Sequence, residues 1–500
     1  MKAVFDQCKL GLVAAALLGS VGLSTAHAAT APTADKIYVN AHVWTGRKES
    51  PQAQSIALAG ERILAAGSTT EIEALRTPKT AVIDLKGAFV VPGFIDNHVH
   101  FVGGGLALAQ IDLRDAKTPQ EFSRRIAAAA KARPGKWITD GNWDHELWGG
   151  ELPTRDWIDR STVSTPVFVS RLDGHMALTN AAALKLAGIT DATPDPEGGT
   201  IVRDKSGRAT GMLKDAALNL VMRVIPPPSQ TELDEALQRA TDYAVSRGVT
   251  QVHDMGLEDW RSLDAYERAL AGNRLRLRVY AFVPLADWER SAQYAKRNGP
   301  GSDRLRWGAM KGFVDGSLGS TTAWFHEPYT DEPDTSGLTM LDLDLLQTRI
   351  TSADRAGLHL AVHAIGDRAN DWLLDAFGKA ESANGARDRR FRIEHAQHLT
   401  ASAIARLKSQ NVIASMQPYH AIDDGRWAEK RIGAQRLAGT YAFRSLIDAG
   451  ARLTFGSDWP VAPIDPLIGI YAAVTRRTID DANPDGWRSE EHTSELQSPI

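Results

Sequence analysis

From Ala88 onward, apolar runs of four to six residues alternate with helix-like stretches. That rhythm predicts βα units and a parallel sheet. The expected strands are residues 89–95, 166–171, 249–253, 277–283, 307–314, 358–363, 390–394, 412–416 and 452–456. The expected helices between them include 120–132, 231–247, 341–356, 370–380 and 402–410. Nine strands exceed the eight of a (β/α)8 barrel, so one belongs to an insertion. The Gly/Pro/Asp-rich turns between Trp137 and Met212 place that insertion at about 137–212. Upstream, residues 36–85 carry shorter β-like runs separated by turns such as Ala59-Gly60-Glu61. The expected order is a small β unit over 29–87, then an α/β barrel over 88–487.

Composition adds limits. At 500 residues, with 43% apolar and 24% charged positions, the chain is long enough for a barrel plus a smaller unit. The formal charge of −4 and the lack of long Lys/Arg runs argue against nucleic acid and membrane surfaces as partners. A small molecule is the expected partner, and self-association into a homo-oligomer stays open. Residues 1–28 read as a secretory signal. Lys2 and Lys9 precede or flank an apolar stretch, and Ala26-His27-Ala28 is a small-x-small cleavage site. Export to the periplasm or beyond is the expectation. Cys8, the single cysteine, lies inside that segment, so a mature chain from Ala29 has no thiolate ligand or nucleophile.

Candidate chemistry sits at the strand ends. Pro92-Gly93-Phe94-Ile95-Asp96-Asn97-His98-Val99-His100 runs an apolar strand into His-x-His. Residues two apart on a strand point the same way, so both imidazoles can reach one ion. Alone the motif also fits packed or hydrogen-bonded histidines. His363 and His395 close two further apolar runs, Asp458 closes the last, and Lys311 stands inside an otherwise apolar strand. Barrel active sites lie at the C-terminal strand ends, where these side chains converge. A lysine there needs a partner, such as Asp315, or a modification, because an unpaired buried charge is costly. Less sharp candidates for substrate contact are Asp173 and His175 on a loop, His253 at a strand end, and Gln417 and His420 just past one. Trp143, Trp148 and Trp324 are candidate aromatic walls.

The stretches PGFIDNHVH (92–100), KGFVDGSLGSTTA (311–323), HAIGDRAND (363–371), IEHAQH (393–398), SMQPYH (415–420) and GSDWPVAPIDP (456–466) together resemble the amidohydrolase superfamily. The likeness runs roughly from Lys36 to Trp487 and favours the branch with N-substituted formamide deformylases. It implies a TIM-type metallo-hydrolase barrel with a small β-sandwich-like domain. It implies His98, His100, Lys311, His363, His395 and Asp458 as metal ligands for one or two divalent ions, zinc by ligand type. Lys311 matches the lysine that is carboxylated in binuclear members. Asp458 matches the aspartate that shuttles the proton of the attacking water. The implied reaction is hydrolysis of non-peptide C–N bonds. Readings left open are a mononuclear, deaminase-like hydrolase and a non-catalytic binding or regulatory protein on the same frame. A metal-free sugar-active barrel lacks the paired acids it would need.

Arg488 to Ser498 reads RSEEHTSELQS, the in-frame translation of a common sequencing adapter. The expectation is that 488–500 is non-native. On that reading the barrel lacks a last helix, and the small β unit lacks its returning strands.

Overall fold

The structure is a computed structural model describing residues 33–256 and 260–493. The expected signal with Cys8, and the adapter-like residues from Ser494 on, lie outside the described residues. The chain divides into two compact units between Pro92 and Gly93.

The first unit is a five-stranded sheet. Its central strand, Lys36–Trp44, pairs antiparallel with Ser55–Ala59 and parallel with Ala81–Val90. Ile37, Ala57 and Ala34 bury against Ile72 of the helix Thr69–Glu73. Ser68 and Glu71 form a capping box that satisfies the first amides of that short helix.

The second unit carries an eight-stranded parallel sheet in sequential order. Its strands are β1 (Phe94–Val99), β2 (Val249–Asp254), β3 (Arg278–Pro284), β4 (Leu305–Phe313), β5 (His359–Ala364), β6 (Arg392–His395), β7 (Ile413–Met416) and β8 (Arg452–Phe455). Strands covered on both faces read as continuous apolar runs, which is why these were legible. β8 returns to β1 through a parallel bridge between Val99 and Trp459. Asp458 N donates to His98 O at 2.7 Å, and His100 N to Trp459 O at 2.8 Å. Gly456 makes this approach feasible, because a Cβ there would stand 2.6 Å from His98 N. The result is an α/β barrel of the expected kind.

One expected strand is corrected. Residues 89–95 are not one barrel strand: Val91-Pro92-Gly93 breaks the chain between Ala81–Val90 of the first unit and β1. Proline interrupts the ladder there. Residues 166–171 supply the ninth strand, the one in the expected insertion: Val167–Arg171 lies in a separate five-stranded sheet spanning Ile138–Trp143 to Ala209–Asp215. That sheet interrupts the barrel between β1 and β2, and its core packs Phe122 and Ile126 of helix Pro119–Ala132 against Trp143. Helices Gln230–Val245, Leu343–Arg355 and Asp367–Asn384 bury apolar faces in the main core around the barrel. Ser489–Glu491 lies in this unit as well, where Glu491 accepts hydrogen bonds from Ser445 N and Oγ.

Candidate metal centre

The C-terminal ends of β1, β4, β5, β6 and the turn after β8 converge on one cluster of buried side chains. His98 Nε2 lies 3.3 Å from Asp458 Oδ1 and 3.4 Å from Lys311 Nζ. His100 Nε2 lies 3.1 Å from the same Asp458 oxygen. The His395 ring centroid is 4.9 Å from that of His98 and 4.6 Å from that of His363. Ligand atoms of His98, His395 and Asp458 all fall within 4.8 Å of one another.

Three of the four histidines have their second ring nitrogen engaged. His98 Nδ1 pairs with Glu394 Oε2 at 2.6 Å. His395 Nδ1 pairs with Gln417 Oε1 at 2.8 Å, and His363 Nε2 with Gly316 O at 3.0 Å. Such partners fix an imidazole's tautomer and leave one nitrogen free to ligate. His98 Nε2, His395 Nε2 and His363 Nδ1 are the nitrogens left. Glu394 is itself held by Arg392, whose Nε donates to Oε1 at 2.7 Å and Nη2 to Oε2 at 3.0 Å.

Charge states suit a cation. Burial pushes the imidazoles of His363 and His395 well below their usual range, and lowers that of His100, so all three favour the neutral, ligating form. Burial opposes ionisation of Asp458, yet His98 and His100 hold its carboxyl well below the ordinary carboxylate range. Burial draws the Lys311 ammonium down to about 8. Asp458 Oδ1 and His100 Nδ1 are buried with no well-formed hydrogen bond. Orphaned polar atoms of this kind are rare without a ligand. Imidazole nitrogens and a carboxylate are a donor set for zinc and similar divalent ions, so the residues fit a metal.

Lys311 forms no ion pair with a carboxylate among the described residues; its Nζ sits 4.9 Å from the Phe313 ring centroid. Asp315 is occupied elsewhere. It accepts from the backbone amides of Trp324, Ile365 and Gly366, and burial pushes its carboxyl up to about 7.

A cavity of about 410 Å³ opens over the cluster. His100, Lys311, His363, His395 and Asp458 line one side, and Arg171, Asp173, His175 and Asp215 of the inserted sheet line another. His420 is on the wall too, its Nε2 3.8 Å from Asp458 Oδ2. The remaining candidates stand elsewhere. Gln417 reaches the site only through His395. His253 is held by Gln251 and Arg392 inside the barrel, at 3.1 and 3.0 Å. The Trp324 ring lies under the Arg368 guanidinium, 4.5 Å away, off the cavity wall. Trp143 and Trp148 pack on Phe122 in the core of the insertion.

Arg392 and Glu394 escaped the sequence reading. Their signal was present, since Arg-x-Glu puts two charges on one face of a short strand that is buried throughout. Alternation would send Glu394 and His395 to opposite faces, yet both reach His98. The positive φ of His395, 74°, breaks the alternation. Asp458 also adopts a positive φ, 63°. Left-handed backbone at non-glycine residues is strained and clusters at functional sites.

The family model described as "Amidohydrolase family" matches residues 81–497. The chain belongs to the amidohydrolase family. It is therefore a hydrolase in kind, with a site suited to a divalent metal. It is 42% identical over 475 residues to Protein LONG AFTER FAR-RED 3 of Arabidopsis thaliana, covering 92% of this chain and 82% of that protein. It is 29% identical to the N-substituted formamide deformylase of Arthrobacter pascens, covering 90% and 85%. An uncharacterized metal-dependent hydrolase from Pyrococcus furiosus superposes with a TM-score of 0.70 at 30% identity, covering 91% of this chain and 92% of that one.

Proposed function

We propose that the protein hydrolyses non-peptide C–N bonds of small amides, N-substituted formamides among them. The observation that carries this is the buried cluster of His98, His395 and Asp458, whose ligand atoms lie within 4.8 Å of one another beside a cavity that His395 and Asp458 line. His98, His100, Lys311, His363, His395 and Asp458 would hold the metal, zinc by ligand type. When bound, a divalent ion would acidify water and polarise the scissile carbonyl. Asp458 accepts the proton of the attacking water as its oxygen bonds to the carbonyl carbon. The C–N bond then breaks, Asp458 returns the proton to the leaving nitrogen, and the products are a carboxylic acid and an amine. Glu394 keeps His98 turned toward Asp458 throughout, and the inserted sheet walls the cavity from one side.

The test is amine release from a panel of N-formyl and N-acetyl amines by zinc-loaded protein. Turnover by the wild type, falling about 100-fold or more in Asp458→Asn with metal retained, supports the reading. Fully loaded protein that releases amine from no member overturns it and favours a binding or regulatory role.

Carboxylation of Lys311 belongs to this proposal. Its lowered ammonium supports it, because the free amine is the form that bonds carbon dioxide, losing a proton as the N–C bond forms. Lys311→Ala should lose bound metal, and added bicarbonate or a short carboxylic acid should restore it. Unchanged metal content in that variant removes the role. A mononuclear site is the second reading, supported by the compactness of the three-residue cluster. Elemental analysis giving about one ion per chain favours it over two. Export by residues 1–28 is also proposed, and an N-terminus at Ala29 in the secreted protein is the check. No helix among the described residues is long and apolar enough to cross a membrane.

A further inference from the structure

The inserted sheet contributes an Asp–His pair to the cavity. His175 Nδ1 is bonded to Asp215 Oδ1 at 2.7 Å. Asp215 is fully buried, and its other oxygen has no partner. The His175 ring centroid lies 5.4 Å from that of His363, and both residues line the cavity. No hydrogen bond engages His175 Nε2 among the described residues, so this atom is left available to a molecule in the cavity that His175 lines.

A structural role explains the pair poorly. Asp215 N already donates to His175 O at 2.9 Å, so the two strands are joined by backbone. The turn containing His175 is fastened to the barrel loop by a different residue. Asp173 Oδ2 accepts from Ser317 Oγ at 2.6 Å and from Arg171 Nη1 at 2.8 Å. The Asp215 backbone also adopts φ 48°, ψ −122°, a strained conformation for a residue with a side chain. Strain and a buried carboxylate both serve to fix one imidazole atom.

We propose that His175 is a catalytic residue delivered by the insertion, its Nε2 hydrogen-bonding the substrate amide beside His363, with Asp215 as the positioning residue. The insertion thereby completes the site instead of merely covering it. This rests on the hydrolase reading above.

The experiment uses zinc-loaded full chain and the N-formyl and N-acetyl amine panel, with metal content and thermal midpoint measured for every variant. His175→Ala is expected to lower kcat about 100-fold with metal content unchanged. His175→Gln, which carries a polar atom near the Nε2 position, should recover part of the loss, and added imidazole should recover part in His175→Ala. Asp215→Asn should lower kcat more than it raises KM, because the ring stays but its tautomer is no longer fixed. A structural role would be rescued by neither imidazole nor glutamine. Variants that keep wild-type kcat, or a loss of activity that follows metal content or thermal midpoint alone, overturn the proposal. An inactive wild type would instead overturn the hydrolase reading, so the two failures are told apart.

Discussion

Glu394 and Asp424 are two carboxyls near the cavity with opposite electrostatics. Glu394 bonds His98 and Arg392, and despite full burial these hold it well below the ordinary carboxylate range. Its removal frees the His98 tautomer, so Glu394→Gln should weaken zinc binding by about 10- to 100-fold in a competition titration. Unchanged affinity would show that His98 needs no partner. Asp424 has only neutral donors, Tyr441 Oη at 2.6 Å and Gln397 Nε2 at 2.7 Å, and burial pushes its carboxyl from 3.8 up to about 7. The folded chain holds that proton more tightly than the unfolded chain. Its contribution is therefore most favourable below about pH 4 and is lost as pH rises toward 7. Asparagine still accepts both hydrogen bonds but does not ionise. Asp424→Asn should thus lose less thermal midpoint than wild type between pH 5 and pH 7.5. Equal losses in the two proteins would mean the carboxyl is hydrated.

At the scale of elements, helix Phe101–Ala107 carries three glycines where alanine would favour a helix. Packing explains two of them. A Cβ on Gly105 would stand 2.0 Å from Ala236 O on helix Gln230–Val245, and one on Gly104 would stand 2.3 Å from the Trp459 ring. Gly105→Ala should destabilise the fold by about 1–3 kcal/mol or more, since backbone must move. Gly469, in helix Pro466–Thr475, has nothing within 4 Å. Gly469→Ala should stabilise by up to about 1 kcal/mol. Chemical denaturation of the two variants measures both signs. The same contrast marks what was legible in the chain. Barrel strands buried on both faces announced themselves, and so did the imidazoles at their ends. Whether residues 89–95 formed one strand depended on pairing partners far away in sequence, His42 for Phe89 and Val249 for Phe94. Glu394 was hidden for a related reason: its meaning lies in contact with His98, 296 positions away.

Across the whole molecule, the barrel mouth concentrates what folding ordinarily avoids. His98, Lys311, Asp315, His363, Glu394, His395 and Asp458 are all buried. An ion that binds only the folded chain offsets this cost in proportion to RT ln(1 + [L]/Kd), about 2.7 kcal/mol at a hundredfold excess over Kd. Zinc should therefore raise the thermal midpoint in a concentration-dependent way, and a strong chelator should lower it again. Glu394→Gln links this to the residue scale. If its Kd is 10- to 100-fold weaker, the stabilisation at a fixed saturating zinc concentration shrinks by about 1.4–2.7 kcal/mol. In the metal-free state its midpoint also reveals what the Arg392–Glu394–His98 chain contributes on its own, since Arg392 is then left buried without its anionic partner. A variant that loses stability equally with and without zinc would assign the chain to folding. One whose deficit appears only with zinc would assign it to the metal.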